Sequence, residues 1–254
     1  LGQRQHLRGR GDQHGQLLRI SAAGGTTQFD YDTRGNLVRK VSPAAGATVG
    51  GNYPTETYGY NAANDIVSTR DFNGNLTTYG YDANRNLTTV TRPNIETGSG
   101  TVVSLTNTYH PDGTLATSRD ATGRLTTYEY SEHHDLVAVT SPGGQKTTYE
   151  HDEAGRVIAT VGPRGNRPGA NPEEHRASLV LTDAGLQTSA TDELGQTTTA
   201  TYDDGGRVTS WTDALGNTTT ATYTEDGRPL VVQGPDPAVA PVTYGYDANG
   251  NVTT

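Results

Sequence analysis

The chain has 254 residues, with 28 acidic against 19 basic side chains and a formal net charge of −9; without any stripe of clustered Lys and Arg, that balance argues against a nucleic-acid-binding face. The absence of Cys excludes a disulfide framework and thiolate metal sites, and no apolar run approaches the roughly 18–20 residues of a membrane-spanning helix. Counted with Gly and without Tyr, apolar residues make up about 38% of the chain against the ~45–50% usual for globular domains, too few for a thick two-layer core.

Residues 1 to 19 carry no repeated phrase and are expected to be irregular. They include Arg10-Gly11-Asp12, an integrin-type tripeptide that chance produces easily. From about residue 20 a phrase returns: aromatic-x-Tyr-Asp-x-x-Gly-(Arg/Asn)-Leu, whole in Phe29-Asp30-Tyr31-Asp32-Thr33-Arg34-Gly35-Asn36-Leu37. Its second aromatic aligns at Tyr31, Tyr60, Tyr81, Tyr109, Tyr130, His151, Leu181, Tyr202, Tyr223 and Tyr246, in steps of 29, 21, 28, 21, 21, 30, 21, 21 and 23 residues. The base period is therefore 21, the mark of an architecture built by copying one unit. Longer steps carry their surplus in segments rich in Pro and Gly: Pro43 to Asn52, Pro93 to Gly100, Gly162 to Pro172 and Gly234 to Pro241. These read as loops inserted at one fixed place in the unit.

A second phrase, Asp-x-x-Gly followed after one or two residues by Thr-Thr, stands at Asp71 to Thr78, Asp120 to Thr127, Asp192 to Thr198 and Asp213 to Thr219. Asp-x-x-Gly suits a tight turn, because the carboxylate accepts from backbone N–H groups two residues on and Gly takes a left-handed conformation without a Cβ clash. Between turns the residues are strand formers, as in Leu76-Thr77-Thr78-Tyr79-Gly80-Tyr81 and Leu125-Thr126-Thr127-Tyr128-Glu129-Tyr130. The expected fold is all-β, an antiparallel ribbon over residues 20–254 with two strands per unit and about ten units, Tyr stacked on Tyr from unit to unit. The new unit opening at Tyr246-Asp247-Ala248-Asn249-Gly250 and the absence of Met predict an internal piece of a longer protein. No signal-peptide pattern stands at residue 1.

Several smaller motifs compete for a functional role, and each has a structural explanation. His133-His134-Asp135 offers metal-ligand chemistry but sits at a turn, where adjacent residues point in different directions. Asp71-Phe72-Asn73-Gly74-Asn75 resembles the start of a calcium loop, with its Gly too early and the closing Glu absent. Asp203-Asp204 could be imagined as a hydrolytic carboxylate pair, yet Asp203 occupies the turn position that recurs at Asp32, Asp82, Asp152 and Asp247. Gly205-Gly206 lacks the apolar strand and helix of a phosphate loop. Asn75, Asn86, Asn217 and Asn251 open glycosylation sequons from residues that the repeat itself uses. Trp211, the single Trp, lies mid-repeat, where a flat aromatic either packs on its neighbours or meets a sugar face. No catalytic, metal or cofactor residue is assigned.

The recurring Tyr-Asp-x-x-Gly-Arg/Asn-Leu phrase resembles the YD repeat of Rhs proteins, the family of bacterial polymorphic toxins, the C component of insecticidal toxin complexes, wall-associated proteins and teneurins. Ten aligned positions carry the resemblance, eight of them Tyr; His151 and Leu181 depart from it. It implies a ribbon that spirals into a hollow β-shell around a C-terminal toxin, with this chain forming a partial turn. Implied partners are the remaining repeats and the toxin domain, and the implied location is secreted or cell-surface. The family's self-cleaving Asp-Pro-x-Gly-Leu segment has no match, since Asp236-Pro237 continues as Ala238-Val239-Ala240. The expected function is structural and non-enzymatic, without cofactor, nucleic-acid partner or membrane span; the alternative is an adhesion or carbohydrate-binding module.

Overall fold

The computed structural model describes residues 8–11, 16–22, 25–42, 53–94, 98 and 100–253. The chain divides into two compact units, Leu1–Thr127 and Tyr128–Thr254. The first holds β1 (Arg8–Gly11), β2 (Leu17–Ala22), β3 (Gly25–Tyr31), β4 (Leu37–Val41), β5 (Thr55–Tyr60), β6 (Ile66–Arg70), β7 (Leu76–Tyr81), β8 (Leu87–Pro93), β9 (Thr101–Tyr109) and β10 (Leu115–Asp120). The division falls within β11 (Leu125–Tyr130). The second unit continues with β12 (Leu136–Thr140), β13 (Lys146–His151), β14 (Val157–Val161), β15 (Arg176–Leu181), β16 (Gln187–Thr191), β17 (Thr197–Tyr202), β18 (Val208–Thr212), β19 (Thr218–Tyr223), β20 (Pro229–Gln233) and β21 (Val242–Thr243).

Within each unit every strand pairs antiparallel with the next one in sequence, from β1 to β11 in the first and from β12 to β21 in the second. Tight turns make most of the described connections, and the longer loop from Gly162 to His175 also returns its strand antiparallel, to β15, so the ribbon is a meander. Its strands are the short Thr- and Tyr-rich runs expected from the sequence. Strands β1 and β2 reach back into segment 1–19, which carries no repeat phrase: ladder hydrogen bonds use the backbone, so pairing with β3 does not require the phrase. Asp12 of the Arg-Gly-Asp tripeptide lies outside the described residues.

One irregularity recurs with the repeat. Gly59 faces Ser68, but Tyr60 faces Ile66, leaving Val67 as an extra residue on β6. The same bulge occurs at Tyr31, Tyr81 and Tyr109 in the first unit and at His151, Leu181, Tyr202 and Tyr223 in the second. Each one bends its strand and adds local twist. Because it persists at His151 and Leu181, the bulge belongs to the backbone repeat and not to the Tyr side chain.

Alternating strand direction separates the two phrases in space. In each unit the aligned Tyr-Asp turns share one rim, and the second-phrase turns share the other. All described insertions fall on the second rim: Pro93 to Gly100 joins β8 to β9, Gly162 to Pro172 joins β14 to β15, and Gly234 to Pro241 joins β20 to β21. Pro43 to Asn52 lies outside the described residues. The Gly162 insertion folds back onto its own strands, with Asn166 Nδ2 donating to the carbonyls of Val161 (2.9 Å) and Gly162 (3.2 Å), and it ends in a 3-10 turn, Pro172–His175. Gly165 is buried there, and a Cβ would stand 2.6 Å from Val161 Cγ1.

Burial matches a single layer. Among the described residues only Val41, Ala138, Ala159 and Val161 are buried hydrophobics, and no polar residue is buried. Stability therefore comes from ladder hydrogen bonds and cross-strand neighbours, each contributing roughly 0.2–1 kcal/mol, instead of from a packed interior.

Candidate functional site

Among the described residues the turn rim carries the densest side-chain hydrogen bonding, and Asp203 shows its design. Its Oδ1 accepts from the backbone N–H groups of Gly205 and Arg207, both at 2.9 Å, while Gly206 takes a left-handed φ of 76°. Arg207 Nε donates to the second carboxylate oxygen at 2.7 Å. Asp32, Asp82, Asp152 and Asp247 repeat the arrangement with Asn36, Asn86, Arg156 and Asn251 as the second donors. Where the phrase lacks Asp, another acceptor fills the place: Asn61 Oδ1, Ser131 Oγ or Thr182 Oγ1. Asn64, Arg85 and His134 replace Gly at the left-handed position, with φ of 66°, 68° and 67°.

These hydrogen bonds set the electrostatics. The side-chain amide of Asn36, with its backbone N–H, lowers the Asp32 carboxyl to about 2. Thr122 and Arg124 hold Asp120 well below the usual carboxylate range, and Asp71, Asp82, Asp152, Asp203, Asp213 and Asp247 are lowered by the same kind of partners. Carboxylates held this firmly as anions are poor general acids.

The residue after Gly links neighbouring turns, a role that sequence reasoning missed although Arg or Asn is written into the phrase. Arg207 Nη1 donates to the Thr224 carbonyl of the next turn (3.2 Å), and its guanidinium lies 5.1 Å from the centre of the Tyr223 ring. Arg156 reaches the carbonyls of Thr182 and Asp183, Arg228 covers the Tyr246 ring at 5.3 Å, and Asn36 donates to Asn64 Oδ1 at 2.9 Å. Arg85, itself in the left-handed position, pairs with Asp65 of the preceding turn.

The aligned Tyr has a second linking role. Among the described residues the recurring contact is hydroxyl to carbonyl: Tyr60 donates to Leu37, Tyr81 to Ile66, Tyr109 to Leu87, Tyr202 to Gln187, Tyr223 to Val208 and Tyr246 to Pro229, all at 2.7–2.9 Å. Each acceptor is the first residue of a strand: for the first five it is the strand preceding that of the Tyr, and for Tyr246 it is β20. Burial pushes the Tyr60 and Tyr81 hydroxyls up, which keeps them protonated as donors.

The motifs singled out from the sequence resolve into the same devices. Asp71 caps its turn by accepting from the N–H groups of Asn73 and Asn75. His133 and Asp135 donate their backbone N–H groups to Ser131 Oγ, and among the described residues no group of three His, Asp or Glu side chains is placed to hold a metal ion. Asp236 accepts from Ala238 N within the Gly234 insertion. Trp211 is 47% exposed, opposite Ala200 on β17 and Thr219 on β19.

The two faces of the second unit differ. Thr197, Thr199 and Thr201 on β17 and Thr218, Thr220 and Thr222 on β19 stand exposed on one face, with hydroxyl pairs such as Thr191–Thr197 at 2.9 Å and Thr212–Thr218 at 2.8 Å. The other face carries Ala190, Thr198, Ala200, Trp211, Ala221 and Val232. Its small side chains leave a trough of about 470 Å³ over Ile158, Ala177, Leu179 and Ala190.

Similarity to known proteins follows the repeat. The chain matches the RHS repeat family over residues 11–48, 60–94, 109–146, 130–167 and 202–239, more than half its length. No curated protein matches it. Among solved structures it is similar to a TcdB2–TccC3 complex, with 17% identity and a TM-score of 0.63 over 98% of this chain and 16% of that one. A TcdB2–TccC3 structure without its hypervariable C-terminal region gives 16% identity and 0.63 over 94% and 14%. The Tc holotoxin pore of Photorhabdus luminescens gives 17% and 0.57 over 94% and 16%. The chain thus spans about a seventh of those chains' length, and at such identity the likeness is one of fold. With the family matched along the repeats and the antiparallel ribbon shared, the chain belongs to the RHS repeat family.

Proposed function

We propose that this chain is wall material of an encapsulating β-shell that houses, protects and delivers a C-terminal toxin carried by the same longer protein, and that it performs no catalysis itself. The observation that carries this reading is the turn-to-turn linkage: Arg, Asn and Tyr side chains bond many of the repeats to their neighbours, while only four hydrophobic residues among those described are buried. A single-layer ribbon needs something on its apolar face, and enclosing a second polypeptide supplies it. The most strongly held ionisable groups are turn carboxylates already committed to backbone N–H groups, which leaves them to structure and not to chemistry. The implied partners are further repeats and the enclosed domain, and the implied location is outside the producing cell or on its surface. The test is limited proteolysis of the longer protein bearing these repeats. The segment that follows them should survive protease concentrations that degrade the same segment expressed alone; equal degradation overturns the reading.

A second reading, adhesion to carbohydrate, is favoured by the half-exposed Trp211 beside Ala200 and Thr219, a flat and uncrowded aromatic platform. Saturable glycan binding by this chain, abolished by Trp211→Ala, would establish it; a glycan array without specific binding removes it.

A further inference from the structure

The apolar side chains least covered by the fold sit together on the insertion-bearing rim. Leu194 is 82% exposed and Leu215 is 87% exposed, the two highest values among the described large hydrophobics. They hold the same place, just before the turn Gly, in the successive turns Asp192-Glu193-Leu194-Gly195 and Asp213-Ala214-Leu215-Gly216. Equivalent places in other turns of that rim hold Asn73, Thr122 and Gly143, so turn geometry does not demand Leu. Two hairpins apart by two strand spacings, they stand on the order of 10 Å from each other. One residue of such exposure is ordinary, but two in register on a rim form a patch.

The surroundings select a partner by charge. Leu194 borders a groove of about 420 Å³ whose wall includes Glu173, Glu174, Asp192 and Glu193. The cation of that groove, Arg176, is committed to Glu150 at 2.7 Å. Glu193 reaches over the base of the insertion, with Oε1 3.0 Å from where a Cβ on Gly162 would stand. The groove wall thus carries four carboxylates against one committed cation, with Arg164 and Arg167 of the same insertion outside it, and apolar anchors beside that acidic excess complement a polypeptide that pairs apolar side chains with Lys or Arg.

We infer that this rim of the second unit is a docking surface for a basic, apolar-anchored polypeptide segment, with Leu194 and Leu215 as the contact points and Glu173, Glu174 and Glu193 setting the charge preference. The surface goes beyond the shell reading and does not depend on it, since it lies on the rim and not over the apolar face. Binding here is of moderate strength and sensitive to salt, because exposed carboxylates are screened within a Debye length of about 8 Å at physiological ionic strength.

The experiment titrates the whole chain into a fluorescein-labelled peptide of Lys, Leu and Gly, following anisotropy. Controls replace every Lys by Glu, or every Leu by Gly. The Lys–Leu peptide should bind, and both controls should bind at least about tenfold more weakly. Leu194→Ser with Leu215→Ser should weaken binding by about tenfold or more without lowering the thermal midpoint, since neither side chain is buried. Glu173→Gln, Glu174→Gln and Glu193→Gln together should remove most of the salt dependence. The proposal is overturned if the Leu variant binds as the parent does, if the Glu-containing peptide binds equally well, or if no peptide binds. Self-association of the chain that the two Leu substitutions abolish would also overturn it, by making the patch a contact between copies.

Discussion

At the scale of single residues, the turns make conformational demands that can be separated from packing. Gly216 has φ of 86° and no heavy atom within 4 Å of a built Cβ, so Gly216→Ala meets a purely backbone penalty. It should lower stability by about 1–2 kcal/mol, and Gly216→Asn by less, because Asn tolerates the left-handed region. Gly234 has equal space without the left-handed φ, so Gly234→Ala should be neutral or stabilising by roughly 0.4–1 kcal/mol through the unfolded chain. Chemical denaturation of the three variants measures this; equal costs at Gly216 and Gly234 would show that φ is not what selects Gly. The Asp and Gly of the turns were legible in the sequence because their role is local, fulfilled within five residues. The Arg or Asn after Gly was not, because its partners lie in the next turn, and neither were Leu194 and Leu215, because exposure depends on what the rest of the chain leaves uncovered.

At the scale of elements, the two rims are built from the same hairpin but carry different obligations. The turn Thr224-Glu225-Asp226-Gly227 receives Arg207 from its neighbour, in addition to its own Thr224 cap. The turn Asp213-Ala214-Leu215-Gly216 has its Asp213 cap, and its rim is the one that already accommodates insertions. Lengthening either turn by a short Gly-Ser segment sacrifices the cap and adds a small closure entropy. Between Glu225 and Asp226 it also breaks the bond from Arg207 and withdraws the ring of Tyr223 from its cation, so it should cost about 1 kcal/mol more than the same insertion between Ala214 and Leu215. Calorimetry on the two insertion variants decides the matter, with equal thermal midpoints counting against the rim asymmetry. The strands and the fixed place of the insertions could be read from spacing alone, since two turns per 21 residues force two strands and place every surplus segment on one rim. The bulges could not, because a skipped residue in the ladder leaves the period unchanged.

At the scale of the whole molecule, the repeated carboxylates act together, and their combined effect has a definite sign. Asp32 titrates near 2 in the fold against an ordinary 3.8, and seven further turn-capping Asp residues are shifted in the same direction. A carboxyl that is more acidic in the folded state stabilises it above the unfolded-state value and loses that contribution as pH falls toward the folded-state value. The opposing effect is relief of self-repulsion, because protonation reduces the net charge of −9. Repulsion among exposed, screened charges is weak and spreads over all acids, whereas the turn caps each lose specific hydrogen bonds, so the caps should dominate once they begin to protonate. The thermal midpoint should therefore hold steady from neutral pH to about 5 and fall between about pH 4 and 2. Hydrogen bonding leads the causes at Asp32, ahead of the Coulomb attraction of Arg34, so added salt should change that slope little. Asn61 shows how to isolate the effect, since its Oδ1 already accepts from the N–H groups of Ala63 and Asp65 in the place of an Asp. Replacing Asp32, Asp82 and Asp247 by Asn keeps an acceptor in each turn and removes its titration, so the acid limb should flatten while the neutral-pH fold is retained. An acid limb as steep in that triple variant as in the parent would place the pH dependence elsewhere in the chain.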